Sequence, residues 1–152
     1  MQSIQSKKLF EAERLVALVL GASFLLVGIL GFLPQFVSLP AADAPALAFN
    51  HGYGNVLGLF PVNYLHNAVH IVVGLLGLAA ATSTGGSLVY NQLFAIAYLG
   101  IAVLGLLPGA NTLFGVMPIF GNNVWFNALT GLIAGYYGFI KPANALESSA
   151  NL

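Results

Sequence analysis

The sequence predicts an all-α integral membrane protein, a four-helix bundle made of two tandem helical hairpins. Three observations predict it: a charge content far below that of soluble domains, four apolar runs of spanning length, and an internal repeat that pairs those runs two by two. Of the 152 residues, 59% are hydrophobic and 5% charged, with a mean hydropathy of +0.90, whereas soluble domains carry about a quarter charged residues. Four basic and four acidic side chains cannot coat a water-facing surface. Their zero net charge leaves no basic field, so nucleic acid is excluded as a partner. Absence of cysteine removes disulfides, thiolate nucleophiles, iron–sulfur clusters and thiolate metal sites.

Crossing about 30 Å of hydrocarbon takes roughly 20 mostly apolar residues in a helix. The first run covers 15–33 and is stopped by Pro34. The second, 64–81, ends in the polar cluster Thr82-Ser83-Thr84-Gly85-Gly86-Ser87. The third, 90–107, stops at Pro108-Gly109, and the fourth, 124–140, at Lys141-Pro142; proline cannot continue a helix. No stretch alternates with period two as a membrane β-barrel would. A cleaved signal peptide is the alternative for the first run, with Lys7-Lys8 before it and small-residue sites at Ala44-Pro45-Ala46 and Ala46-Leu47-Ala48. The run is longer than such an apolar region, and those sites lie well beyond its end.

Lys and Arg are retained on the cytoplasmic side of a membrane. Lys7, Lys8 and Arg14 precede the first span and Lys141 follows the fourth, while the loops 34–63 and 108–123 contain neither Lys nor Arg. Both the segment 1–14 and the tail 141–152 are therefore expected in the cytoplasm, flanking a single membrane domain over 15–140 with a large outer loop at 34–63. Trp125 and Tyr64 fall at outer span ends, and Tyr90, Tyr136 and Tyr137 near inner ones, as interfacial aromatics do. The lipid bilayer is the first partner this pattern implies.

The ends of spans one and three read Gly28-Ile29-Leu30-Gly31-Phe32-Leu33-Pro34 and Ala102-Val103-Leu104-Gly105-Leu106-Leu107-Pro108. Spans two and four align without gaps, placing Gly58 on Gly115, Pro61 on Pro118, His66 on Asn123, His70 on Asn127 and Gly74 on Gly131. Two spans per unit means both units insert with the same polarity, a parallel repeat about an axis along the membrane normal. The first half carries extra residues within 35–55. That segment is too polar to span and too apolar to float free, and is expected to lie against the outer face as a cap or re-entrant lip.

All three histidines fall in the first half. His66 and His70, four apart, share a helix face with about 6 Å between them. Asn63 and Asn67 flank them, the repeat puts Asn123 and Asn127 in matching positions on span four, and the two polar faces are expected to meet near the outer leaflet. Two histidines at this spacing with His51 as a third ligand would suit a metal ion. Against this, no carboxylate falls inside the four runs to act as a base, and amides are poor transition-metal ligands. A haem held by two histidines needs them on opposite sides of its ring; a chlorophyll needs only one axial histidine. The competing reading is a structural polar cluster of Asn63, Asn67, Asn123, Asn127, Thr130 and the histidines, hydrogen-bonded between helices because polar groups avoid lipid. No cofactor is expected on that reading.

Small residues repeat at four-residue spacing at Gly131 and Gly135 and at Gly77 and Ala81, with Gly74 nearby, as at close helix contacts in membranes. They would serve packing within the chain or a face for another subunit or a second copy. Neither a phosphate-binding loop, a nucleophile triad nor a carboxylate pair stands in plausible context, so an enzyme is not expected. The other readings are a membrane metal- or tetrapyrrole-binding protein using His66 and His70, and a small-molecule channel or carrier.

The phrase Gly58-Leu59-Phe60-Pro61-Val62-Asn63-Tyr64-Leu65-His66-Asn67-Ala68-Val69-His70 resembles the hallmark of the four-helix membrane proteins of bacteria and cyanobacteria grouped as domain of unknown function DUF4383. The likeness extends over most of 10–140, through the Leu-Gly-Leu-Leu-Pro end of span three and the Asn-Val-Trp opening of span four. It implies fold and topology rather than an activity, with a bacterial inner membrane or a cyanobacterial thylakoid as the location. Members often carry Asp and His near the positions of Asn123 and Asn127, and amides here favour a structural or partner-binding role for His66 and His70. The resulting expectation is a non-enzymatic accessory or assembly subunit of a larger membrane complex, photosynthetic or otherwise.

Overall fold

Helix breaks in the sequence become helix ends in the structure, a computed structural model that describes residues 2–142. α1 runs Gln2–Leu30, α2 Tyr64–Ala80, α3 Thr84–Leu106 and α4 Asn122–Gly135, which a π-turn at Tyr136–Ile140 continues. Pro34 opens a 3-10 turn, Pro34–Phe36, since its fixed φ suits a first turn and its missing N–H ends the preceding helix. α2 occupies the expected span almost residue for residue. α3 starts at Thr84 rather than at the expected Tyr90. The reason is Ser83, whose hydroxyl accepts from the Gly86 N–H at 3.1 Å and so turns part of the polar cluster into a helix cap.

One correction applies to the all-α expectation. The 34–63 segment folds into a small antiparallel sheet of β1 Val37–Ser38, β2 Gly54–Val56 and β3 Phe60–Val62, in the order β1-β2-β3. Val37 lies opposite Val56, and Val56 opposite Phe60. Strands of two or three residues are too short to show a period-two pattern. The β2–β3 turn passes through Leu57 and Gly58, with φ of 54° and 70°. Left-handed backbone is uncommon for leucine, yet the same pairing recurs at Phe114 and Gly115, with φ of 57° and 86°, in the loop between α3 and α4.

α1 packs along α2 and α3 along α4, and the two pairs join chiefly through α1 against α3. The expectation that the polar faces of α2 and α4 meet directly is therefore corrected: these two helices share no extended interface among the described residues. Fully buried Phe24 on α1 lies between them, edge-on to His70 at 5.0 Å and tilted on Phe126 at 5.4 Å, with Phe94 and Tyr98 of α3 closing the core. Backbones touch between α1 and α2. A Cβ on Gly21 would stand 2.7 Å from the Leu78 nitrogen, and one on Gly77 2.7 Å from the Gly21 Cα. Gly74 meets the Leu25 backbone in the same way, whereas Gly131 on α4 faces the Leu99 side chain of α3 at 2.9 Å and Gly135 makes an ordinary contact with Ala95.

Burial runs opposite to that of a soluble bundle. Leu15 and Leu26 on α1, Leu75 and Leu76 on α2, Leu93 and Ile96 on α3, and Leu129 and Leu132 on α4 are all exposed. Asn63, Asn67, His66, His70, Asn91, Asn123 and Asn127 are buried. Two helical stretches, Ala12–Leu30 and Thr84–Leu106, are long and apolar enough to cross a membrane, and Tyr64–Ala80 is a shorter apolar helix.

Candidate functional site at the cap end

Asn63 is the junction of the molecule's two halves. It is fully buried and caps α2, its side-chain oxygen accepting from the His66 N–H at 2.8 Å. Its Nδ2 donates to the Phe49 carbonyl at 2.9 Å and to the Val116 carbonyl at 2.8 Å. One amide therefore starts a helix and holds both cap loops down on it. Asn67, a turn further on, donates to the Gly31 carbonyl at 2.7 Å, which pins the end of α1 where that helix has run out of its own donors.

Asn123 on α4 donates to the carbonyls of Pro61 at 2.6 Å and Pro118 at 3.0 Å. His66, its counterpart in the internal alignment, faces the Pro118 carbonyl. Each half thus sends one polar side chain to the proline that precedes the other half's helix. Asn122 adds a bond to the Leu59 carbonyl at 3.0 Å. Two expected members behave differently. Thr130 bonds back within its own helix, to the Phe126 carbonyl at 2.7 Å, so it does not link helices; a hydroxyl one turn from a carbonyl finds it first. Asn127 is buried, and among the described residues only its backbone carbonyl takes part in a side-chain hydrogen bond, accepting from the Thr130 hydroxyl at 3.3 Å.

His66 and His70 do share a face. Their rings stand 4.4 Å apart, edge to face, and the Nδ1 of each is buried with no hydrogen-bond partner, as is the Asn67 Oδ1. His51 is exposed on the cap and tilts against Phe49 at 5.2 Å. Among the described residues no group of three or more His, Asp or Glu gathers to hold a metal ion, so His51 does not complete a three-ligand set with the other two.

Sequence reasoning overlooked a second polar cluster at the opposite end. Glu13, 3% exposed, lies inside the Ala12–Leu30 stretch with its Oε2 unpartnered, two residues before the first run expected at 15–33, so the apolar helix starts earlier than that run and takes in a carboxylate. Asn91 of α3, fully buried, donates to the Glu13 backbone carbonyl at 3.1 Å and leaves its own Oδ1 unpartnered. Gln92 donates to the Gly138 carbonyl at 2.9 Å, one of the groups that a π-turn frees from the ordinary helical ladder. Arg14 donates through Nε to the Ala81 carbonyl at 2.8 Å, beside an open groove of about 380 Å³ lined by Leu15, Leu18 and Leu78. The only signal in sequence was position: Glu13 and Arg14 directly precede an apolar run and lie within one turn of its start.

Fold and site together define a mostly helical protein of four helices, two of them of membrane-spanning length and apolarity, whose polar residues are gathered inside and under a small sheet. The chain belongs to the family described as Domain of unknown function (DUF4383), whose family model matches residues 14–140. No curated protein and no solved structure matches it.

Proposed function

We propose that the chain is an integral membrane protein of four spans, inserted as two parallel hairpins with both termini in the cytoplasm, and that it serves as a non-enzymatic accessory or assembly subunit of a larger membrane complex. The inversion of burial carries this reading. Large aliphatic side chains face outward on all four helices while asparagines and histidines face inward, the arrangement that lipid favours and water opposes. The matching left-handed pairs at Leu57-Gly58 and Phe114-Gly115 support the tandem repeat, and the three buried asparagines bonded to cap and loop carbonyls, Asn63, Asn67 and Asn123, support a structural use of the polar cluster. A reporter fused after Leu152 is expected in the cytoplasm, and the solubilised protein is expected to migrate with a large complex on a native gel. An external reporter would overturn the topology, and migration as a lone small protein would overturn the subunit role.

The unpartnered Nδ1 atoms of His66 and His70 favour one second reading, a bound metal ion or a tetrapyrrole such as chlorophyll. Two imidazoles leave a metal short of ligands, so the remainder would come from amides or from another subunit. A visible spectrum and a metal analysis of the purified protein separate the two readings. Stoichiometric metal or pigment lost in His70→Ala would establish the second.

A further inference from the structure

The cap carries little charge with which to face water, although Gln35, Ser38, Asn50, His51 and Asn122 are exposed on it. Its two segments, 34–63 and 108–123, hold a single carboxylate, Asp43, and no Lys or Arg, yet they expose Leu39, Leu57, Leu59, Phe114 and Val116. Leu57 and Phe114 take left-handed backbone in order to stand at the turn tips, a conformation that costs a leucine or phenylalanine about 1–2 kcal/mol. Beside them Trp125 is 72% exposed at the start of α4.

α2, with 17 residues, is also too short to keep its end of the cap clear of a bilayer. Arg14 bonded to Ala81 marks one end of the first hairpin, because a guanidinium reaches for the aqueous interface. Asn67 bonded to Gly31 marks the level at which α1 ends. Along α2 the two levels are about 21 Å apart at 1.5 Å per residue, against about 30 Å of hydrocarbon. The difference, roughly 9 Å, takes in Asn63 and the first layer of the cap.

Irregular backbone survives in hydrocarbon only where its polar groups are satisfied from within. That is what the asparagines do. Asn63 serves Phe49 and Val116, Asn123 serves Pro61 and Pro118, and Asn122 serves Leu59. The sheet and turns pair further groups, Leu57 N–H to the Phe36 carbonyl and the Ala48 and Phe49 N–H groups to the Gly115 carbonyl. Water would satisfy these carbonyls in an aqueous loop; internal amides are needed in a dry one.

We infer that the cap is a lipid-immersed wedge: the turns at Leu57-Gly58 and Phe114-Gly115 lie in the outer leaflet, in contact with phospholipid acyl chains and glycerol backbones, and continue the apolar surface of the helices. The inference rests on the four-span membrane reading above. The cysteine-free chain allows a clean test. Spin labels at Leu59→Cys and Phe114→Cys on the cap, and at Leu76→Cys and Leu132→Cys on the helices, are compared in phosphatidylcholine vesicles for access to oxygen and to a water-soluble nickel chelate. Oxygen access exceeding nickel access at all four sites is the expected result. Nickel access at 59 and 114 with lipid-like behaviour at 76 and 132 overturns the wedge and leaves the membrane reading standing. Nickel access at all four overturns both. Shielding of 59 and 114 from both reagents means that protein covers the cap, which also overturns the wedge. In the unmodified protein, lipids brominated on the upper acyl chain are expected to quench the single tryptophan, Trp125; failure to quench counts against the wedge independently of any substitution.

Discussion

The Asn123 Nδ2 donates to the Pro61 carbonyl at 2.6 Å across 62 residues, tying the start of the last helix to the strand that leads into the second. Asn63 makes the converse link, to Val116. The two helical pairs are therefore joined at the cap end by amides, and deeper in the bundle by the aromatic cluster around Phe24.

Replacing Asn63 should be the most damaging single polar change. Asn63→Ala loses a helix cap, worth about 1 kcal/mol, and leaves two carbonyls without a donor, at about 1–3 kcal/mol each. Thermal unfolding in mild detergent is expected to show a loss at the upper end of that range. Asn63→Asp keeps the acceptor for the His66 N–H but replaces the donor with a buried carboxyl group, so its loss should combine the missing carbonyl links with the cost of burying that group. Equal stability of Asn63→Asp and wild type would show that those links contribute nothing.

Helix packing gives a sharper contrast between two glycines. Gly21→Leu would push a side chain into the α2 backbone, where even a Cβ meets Leu78 at 2.7 Å, and should separate the first hairpin. Gly100→Ala, on α3 with nothing within 4 Å, should instead stabilise by about 0.5–1 kcal/mol, the usual gain in a helix interior. Unfolding midpoints of the two variants are expected to move in opposite directions.

His66→Asn should hold the fold. The internal alignment sets His66 on Asn123, and an amide at 66 can reach for the Pro118 carbonyl as Asn123 reaches for Pro61. A loss within about 1 kcal/mol is expected, of the order of one net hydrogen bond, against a larger loss in His66→Ala. A collapse of His66→Asn together with loss of a bound metal or pigment would favour the cofactor reading.

Glu13 and Asn91 each bury an oxygen without a partner. Replacing a buried, uncompensated polar group with an apolar one of similar size is neutral or stabilising, so Glu13→Leu should keep or raise the unfolding temperature at neutral pH. A fall of several degrees would mean that the carboxyl group is held by something the isolated chain does not supply.

Much of this was legible in residues. Pro34 and Pro108 marked helix ends, the helix at Lys141-Pro142 runs to the limit of the described residues, and the spacing of His66 and His70 placed them together on one buried face. Asn63, Asn67 and Asn123 are buried, and Gly74, Gly77 and Gly131 stand at close approaches; burial and contact alone assign them no function. The start of α3 was missed because Ser83 reads equally well as loop or cap until a Gly86 N–H is seen to meet it. The sheet was missed because its strands are too short for periodicity. Thr130 was placed in the wrong network because spacing cannot say which carbonyl a hydroxyl reaches.

By itself the sequence determined the number of helices, the apolar character of two spanning-length stretches and the family, since each depends on local composition and on punctuation along the chain. Only the tertiary structure decided that α1 and α3 join the hairpins, that Phe24 lies between α2 and α4, and that Glu13 lies buried beside Asn91. Those relations depend on which groups from distant parts of the chain come within reach of one another, and a one-dimensional pattern carries no such distances.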